Sequence, residues 1–300
     1  VEDSGEKKGK IMEQYNKIRQ KAVAALVVCA LLWSTSGFVL KSVREMDSMR
    51  ISGYRCLVAS LFLLLLRSRL HTRLTIHKDK WFWTGCVSYA GASLLIVLAN
   101  QYTTAANAII LQYIAPLFVC IFNAFLLKKR PEKDNYIVIA AVIVGLAFFF
   151  QEALSMNRTY MLGNILAIGA GAVMAMQAVS VCQIKNASSV NLVIIGGGFL
   201  NFICCFPFME HTSAPFTDYV CVIFLGICQL GVSYALYSWA VVYLSPLEVI
   251  LIPAIEPLVN PLLTLLIRGE KITVHTLLGG VIVVGSITIW SIWKEKNKAV

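Results

Sequence analysis

Glu256 is the residue whose type and position most suggest chemistry. It lies about ten residues into an apolar run, 247–267, between Pro253 and Pro257. A carboxyl group at membrane depth costs at least ~2.5 kcal/mol on insertion scales, and it normally faces a partner or a water-filled cavity. The flanking prolines deprive nearby carbonyls of their helical donors. Glu256 is therefore a candidate substrate or proton site. The competing reading is a hydrogen-bonded carboxyl that stabilises a helix break. Arg55 sits a few residues inside another apolar run. It either snorkels to the surface beside Arg50 or turns inward to meet an anion or Glu256, and snorkelling or a structural pairing is preferred. Glu248 begins the run that holds Glu256, where a carboxylate suits the positive end of the helix dipole.

Trp33, Asn107, Gln112, Tyr113, Gln177 and Tyr237 are polar or amphipathic groups inside apolar segments, as are Asn201, Gln229 and Asn260. For any one of them, bridging helices is the commoner role. The first six, with Glu256, are the candidates to line a substrate cavity. Arg55 and Glu256 are the candidate charge or coupling pair. The sequence has no His-Glu-x-x-His, no Gly-Lys-Ser/Thr phosphate loop and no Ser/His pair at membrane depth. The nine cysteines sit in or at the ends of apolar segments and read as small apolar fillers. The four histidines fall in loops or at a helix end, and none builds a metal site with the cysteines. No catalytic residue, metal or cofactor is expected, and the chain does not read as an enzyme.

These groups must be positioned by membrane helices. The 300 residues are 58% hydrophobic and 14% charged, with a mean hydropathy of +0.73. A soluble domain needs more polar surface than that. Ten apolar segments can be marked, at 22–40, 51–66, 81–100, 105–127, 135–151, 160–182, 190–209, 218–243, 247–267 and 275–293. Most approach the ~20 residues that cross the hydrocarbon. The connections at 101–104 and 243–246 are short and predict tight hairpins, with Pro246 suited to a first helical turn. Residues 1–20 are polar and lack the order of a cleaved signal peptide, so the first apolar segment is expected to be retained behind a cytoplasmic tail. Met12 is an alternative start.

The net charge of +10 reflects orientation in the membrane, not a nucleic-acid partner. With ten crossings and a cytoplasmic N-terminus, 19 basic residues fall on the cytoplasmic side against 6 on the other. That asymmetry places both termini in the cytoplasm, in a bacterial inner (plasma) membrane. Residues 100–127 and 241–268 also align at an offset of 141, pairing Tyr102 with Tyr243, Ile114 with Ile255, Pro116 with Pro257 and Leu117 with Leu258. Each half then holds five helices, an odd number, so the second must insert upside down. The predicted fold is an all-α membrane protein of ten transmembrane helices. It forms two inverted five-helix repeats, 21–152 and 159–293.

At these residues the chain resembles the drug/metabolite transporter superfamily in its ten-helix EamA form. Leu31-Leu32-Trp33-Ser34-Thr35-Ser36-Gly37-Phe38 through Lys41 is similar to the family's first helix, and Tyr54-Arg55-Cys56-Leu57 to its second. Tyr102–Ala106 and Ala115-Pro116-Leu117 resemble the repeat hairpin. Ile255-Glu256-Pro257-Leu258 and Gly269-Glu270-Lys271 resemble its second copy. The likeness spans roughly 21–293. One departure is that the family's Gly-Glu turn after helix four reads Lys128-Lys129 here. The resemblance implies a secondary active transporter of a small metabolite, an amino acid or related compound. Export is favoured, with alternating access and a proton as a possible coupling ion. The expected partners are a small-molecule substrate and the lipid bilayer; the sequence does not set the oligomeric state. The reading from another class is a membrane-embedded enzyme or assembly factor that uses the same cavity.

Overall fold

The computed structural model describes residues 2–69, 79–103, 105–128, 136–141, 143–145, 158–210 and 212–268, with scattered positions beyond. The tenth apolar segment, 275–293, lies largely outside the described residues, as does part of the fifth. Every regular element among the described residues is helical. In order they are α1 (Glu2–Trp33), α2 (Ser36–Leu40), α3 (Ser48–Arg69), α4 (Lys80–Tyr102), α5 (Ala105–Gln112) and α6 (Ala115–Leu126). A short apolar helix, α7 (Tyr136–Gly145), follows. Then come α8 (Arg158–Gln183), α9 (Ala187–Cys205), α10 (Phe216–Phe224), α11 (Ser233–Ala240), α12 (Pro246–Leu251) and α13 (Glu256–Arg268).

Six helical stretches are long and apolar enough to cross a membrane: Glu13–Leu40, Ser48–Arg69, Lys80–Tyr102, Met161–Gln183, Ala187–Phe208 and Phe216–Tyr243. Others are shorter because they are broken. Pro116 sits in the first turn of α6 and cannot donate to Gln112 four residues back, so the chain turns between α5 and α6. Pro253 likewise starts a 3-10 turn, Ile252–Ile255, between α12 and α13. The N-terminal tail is not an irregular extension. It is helical from Glu2 onward and continuous with the first apolar segment, with a Glu13–Lys17 pair at 2.6 Å along its exposed face.

Two further irregularities matter. Between α1 and α2 the hydroxyls of Ser34 and Thr35 donate to the carbonyls of Ala30 and Leu32, both at 2.7 Å. Such back-bonding competes with the helical ladder and bends it. A π-helix, Leu225–Val232, joins α10 to α11. The core packs α9 against α3 and α4. That approach requires Gly198, where a Cβ would come within 3.0 Å of the Cys56 carbonyl oxygen.

At the end of the bundle where α2 finishes, side chains staple the loops. Arg50 donates to the Thr212 carbonyl at 2.7 Å and the Tyr219 hydroxyl at 2.6 Å. The Asp218 carboxylate accepts from the backbone N–H of Glu45 at 2.9 Å. Arg50 is thus buried in a loop network and does not snorkel.

Candidate functional site: a cavity at the crossing of two broken helices

The two broken helices lie side by side and run antiparallel. The first half of one, α5, packs on the second half of the other, α13, while α12 packs on α6. Tyr113, in the first break, reaches the second. Its hydroxyl lies 2.8 Å from the Pro253 carbonyl oxygen and 2.8 Å from Glu256 Oε2. The reason for the first contact is chemical. The Pro253 carbonyl accepts from the Glu256 backbone N–H in the 3-10 turn; Pro257 has no N–H to add the α-helical bond, and the Tyr113 hydroxyl takes that place. Glu256 opens α13, where its acid group also suits the helix dipole. The first break is held equally closely. Gly171 of α8 faces it, and a Cβ there would lie 2.5 Å from the Gln112 carbonyl oxygen.

These breaks border a cavity of about 100 Å³. Its wall carries Trp33, Arg55, Gln112, Tyr113, Gln177, Tyr237 and Glu256, seven of the eight residues the sequence singles out. The eighth is Asn107, whose backbone lies in α5 and whose side chain falls outside the described residues. Their segments are far apart in the chain, and the fold brings them to one space. Arg55 does not snorkel: it is only 2% exposed and sits on the cavity wall. Its Nη2 donates to the Ser93 carbonyl and hydroxyl oxygens at 2.9 and 3.0 Å. It does not form the ion pair with Glu256 that was one expectation. Among the described residues no carboxylate lies within 4.0 Å of it, and Glu256 is engaged by Tyr113 instead.

The rest of the wall combines aliphatic side chains such as Leu40, Ile96, Met174 and Ile250 with aromatic and amide groups. Trp33, Tyr234 and Tyr237 form a triangle, with ring centroids 5.4, 6.0 and 5.4 Å apart. Tyr89 stands edge-on to Tyr234 at 5.0 Å. Such faces attract cations. Trp33 Nε1 and Gln229 Oε1 are buried without a hydrogen-bond partner among the described residues, which is costly unless water or a ligand supplies one. Sequence reading overlooked Tyr234. A signal was present, since Tyr234 and Tyr237 are three apart on one helix and so share a face. Gln229 was weighed with the other polar groups but not chosen for the cavity, and the π-helix that carries it to the wall has no sequence signature.

Among the described residues, apolar packing flanks the cavity at both ends. Where α1 begins, the seal is apolar packing that includes Ala22, Leu26, Ala240, Val241, Leu244 and Leu247. Beyond it Arg19 Nη2 meets Glu248 Oε1 at 2.6 Å, with side chains 15% and 5% exposed. Glu248 also closes the capping box of α12, accepting from the Ser245 backbone N–H at 2.8 Å. The capping role read from the sequence holds, and the ion pair is added to it. Where α2 finishes, a smaller apolar cluster of Val39, Leu40, Met46, Ile51, Val97, Val222 and Leu225 covers the opposite end.

Apolar helices of bilayer length, packed round an internal polar cavity, define a polytopic integral membrane protein. The sequence matches the profile of the EamA-like transporter family over residues 20–151 and again over 159–292. The chain belongs to that family and is a membrane transporter, acting on a small molecule from within a lipid bilayer. It is 23% identical over 298 residues to "Uncharacterized transporter YxxF" of Bacillus subtilis, covering 95% of this chain and 93% of that one. It is 22% identical over 290 residues to "Uncharacterized inner membrane transporter YicL" of Salmonella typhimurium, covering 91% and 96%. An "Uncharacterized transporter" of Clostridium kluyveri is 24% identical over 228 residues, covering 71% and 72%. In structure, a crystal structure of 17% sequence identity superposes with a TM-score of 0.72, covering 92% of this chain and 98% of the other. That likeness concerns the fold alone.

Proposed function

We propose that this protein is a secondary active transporter that carries an amino acid or related compound through the central cavity by alternating access, with export the favoured direction. Its ten helices form two inverted repeats, 21–152 and 159–293, with both termini in the cytoplasm of a bacterial inner membrane. The double family match supports the repeats, as do the antiparallel α5–α6 and α12–α13 helices with breaks at corresponding positions. The cavity suits a small solute, since drug-sized pockets run to about 300–1,000 Å³.

The observation that carries the reading is the contact of Tyr113 with both Pro253 and Glu256. A hydroxyl has one proton to give, and here it meets two acceptors. Both contacts are satisfied together when Glu256 brings a proton of its own. Without that proton, the Tyr113 hydroxyl turns to the carboxylate and gives up its bond to Pro253, and a charge with no cationic partner sits beside the break. Among the described residues, Arg55 is the only other formally charged group on the wall. The crossing of the two helices is therefore tied to the protonation of Glu256, which makes it the proton-coupling residue and part of the substrate site.

The test is Glu256→Gln in reconstituted vesicles, with amino-acid counterflow and an imposed pH gradient as readouts. Gln keeps the volume and a hydrogen bond to Tyr113, so the variant folds. Proton-driven transport falls strongly or loses its pH dependence. A wild-type rate with a wild-type pH profile would leave Glu256 a structural residue.

A further inference from the structure

We propose that Arg55 is the specificity residue of this cavity and reads the carboxylate of the substrate, which makes the ligand a zwitterion with its ammonium end towards Glu256 and the aromatic triangle. The proposal rests on the transporter reading above and adds the orientation of the ligand.

A guanidinium 2% exposed at membrane depth is normally matched by an anion. Arg55 is not, among the described residues. It is held by neutral groups only, the carbonyl and hydroxyl of Ser93. Both bonds use Nη2, so they pin the guanidinium at one corner, while Nε has no partner among the described residues. With Nη2 held, the guanidinium is fixed in orientation, and its Nη1 N–H groups remain to give a carboxylate a charge-assisted hydrogen bond. The acidic group on the wall, Glu256, bonds the neutral Tyr113 hydroxyl and does not meet Arg55. The cavity is thus polarised. It has a cationic pole on α3, an acidic pole at the start of α13, and the faces of Trp33, Tyr234 and Tyr237 between them.

A ligand bearing a carboxylate and an ammonium a few bonds apart neutralises both poles at once. An amine without the carboxylate leaves Arg55 uncompensated, and a carboxylic acid without the amine leaves the aromatic faces and Glu256 unused. The unpartnered Gln229 Oε1 can take up an ammonium N–H, and Trp33 Nε1 a carboxylate oxygen. A purely structural arginine, bridging α3 to α4 through Ser93, would show no such preference.

The experiment is a thermal-shift titration of the full chain in detergent against the common α-amino acids, each with its carboxamide and its decarboxylated amine. For any amino acid that raises the melting temperature, the wild type binds the carboxamide and the amine about 10- to 100-fold more weakly, the scale expected of charge-assisted hydrogen bonds. Arg55→Lys keeps that discrimination at reduced affinity. Arg55→Gln binds the amino acid and its carboxamide alike, whatever its own melting temperature. The proposal is overturned if the wild type accepts the carboxamide as well as the acid, or if Arg55→Gln still tells them apart; the cavity and the transporter reading survive either result. If no amino acid stabilises the wild type, the amino-acid class falls, and the zwitterion proposal with it.

Discussion

The Arg19–Glu248 pair gives the sharpest prediction, because it links the first helix to the mouth of a broken helix 229 residues away. Alternating access requires the seal at that end to open, and the pair must then part. Glu248→Gln removes the charge but keeps an acceptor for the Ser245 N–H, so the α12 cap survives and the loss isolates the ion pair. Exposed pairs contribute about 0–1 kcal/mol, and breaking a fully buried pair costs about 3–5 kcal/mol. With side chains 15% and 5% exposed, this pair lies between those limits, at about 2–3 kcal/mol. At about 1.4 kcal/mol per factor of ten, the sealed state loses roughly 30- to 150-fold in population relative to the open one. The readout is maleimide labelling of Ala240→Cys, a position fully buried within the seal, in a background lacking the native cysteines. Reagent is added from the side bearing the N-terminal tail. Labelling accelerates on that scale in Glu248→Gln and in Arg19→Gln alike, and the double variant goes no further, because both changes remove one interaction. Unchanged labelling in the single variants, or effects that add, would refute the reasoning and leave the pair inside a body that never opens.

Other predictions concern the breaks and the topology. Gly171→Ala places a methyl 2.5 Å from the Gln112 carbonyl oxygen and lowers stability by about 1–3 kcal/mol. Gly169→Ala, where the nearest atom is 3.7 Å away, is tolerated; equal melting temperatures for the two variants would contradict that packing. Tyr113→Phe removes the hydroxyl that bonds Glu256 and the Pro253 carbonyl, which keeps only the Glu256 backbone N–H. It costs about 1–3 kcal/mol, read as a lower melting temperature, and an unshifted transition would count against the bond. In cells, an external thiol reagent labels Ser155→Cys and spares Lys185→Cys. It likewise distinguishes cysteines placed in the 101–104 and 243–246 hairpins, which the proposed inverted repeat puts on opposite faces, and labelling of both hairpins from one side would end the inverted-repeat reading.

Some of this was decided locally and could be read from the chain. Apolar runs of bilayer length dictate helices, since lipid offers no partner for a free backbone group. Pro116, Pro253 and Pro257 dictate the breaks, because a residue without an N–H cannot continue the ladder wherever it sits. Glu256 stood out for the same kind of reason: a carboxyl in an apolar run is costly in any fold. The polar groups at Trp33, Gln112, Tyr113, Gln177 and Tyr237 were visible on that ground too.

What the chain could not reveal was direction and partnership, which depend on groups distant in sequence. Whether Arg55 pointed to water or inward was settled by Ser93 on the neighbouring helix, 38 residues on. Its expected mate, Glu256, was taken by Tyr113, 143 residues before it. Tyr234 became part of the cavity only because α11 turns it towards Trp33 of α1, and Gln229 because a π-helix resets the phase of the wall. Local sequence sets which groups are expensive to bury. Only the tertiary structure, by bringing remote helices into contact, decides which partner meets each of them.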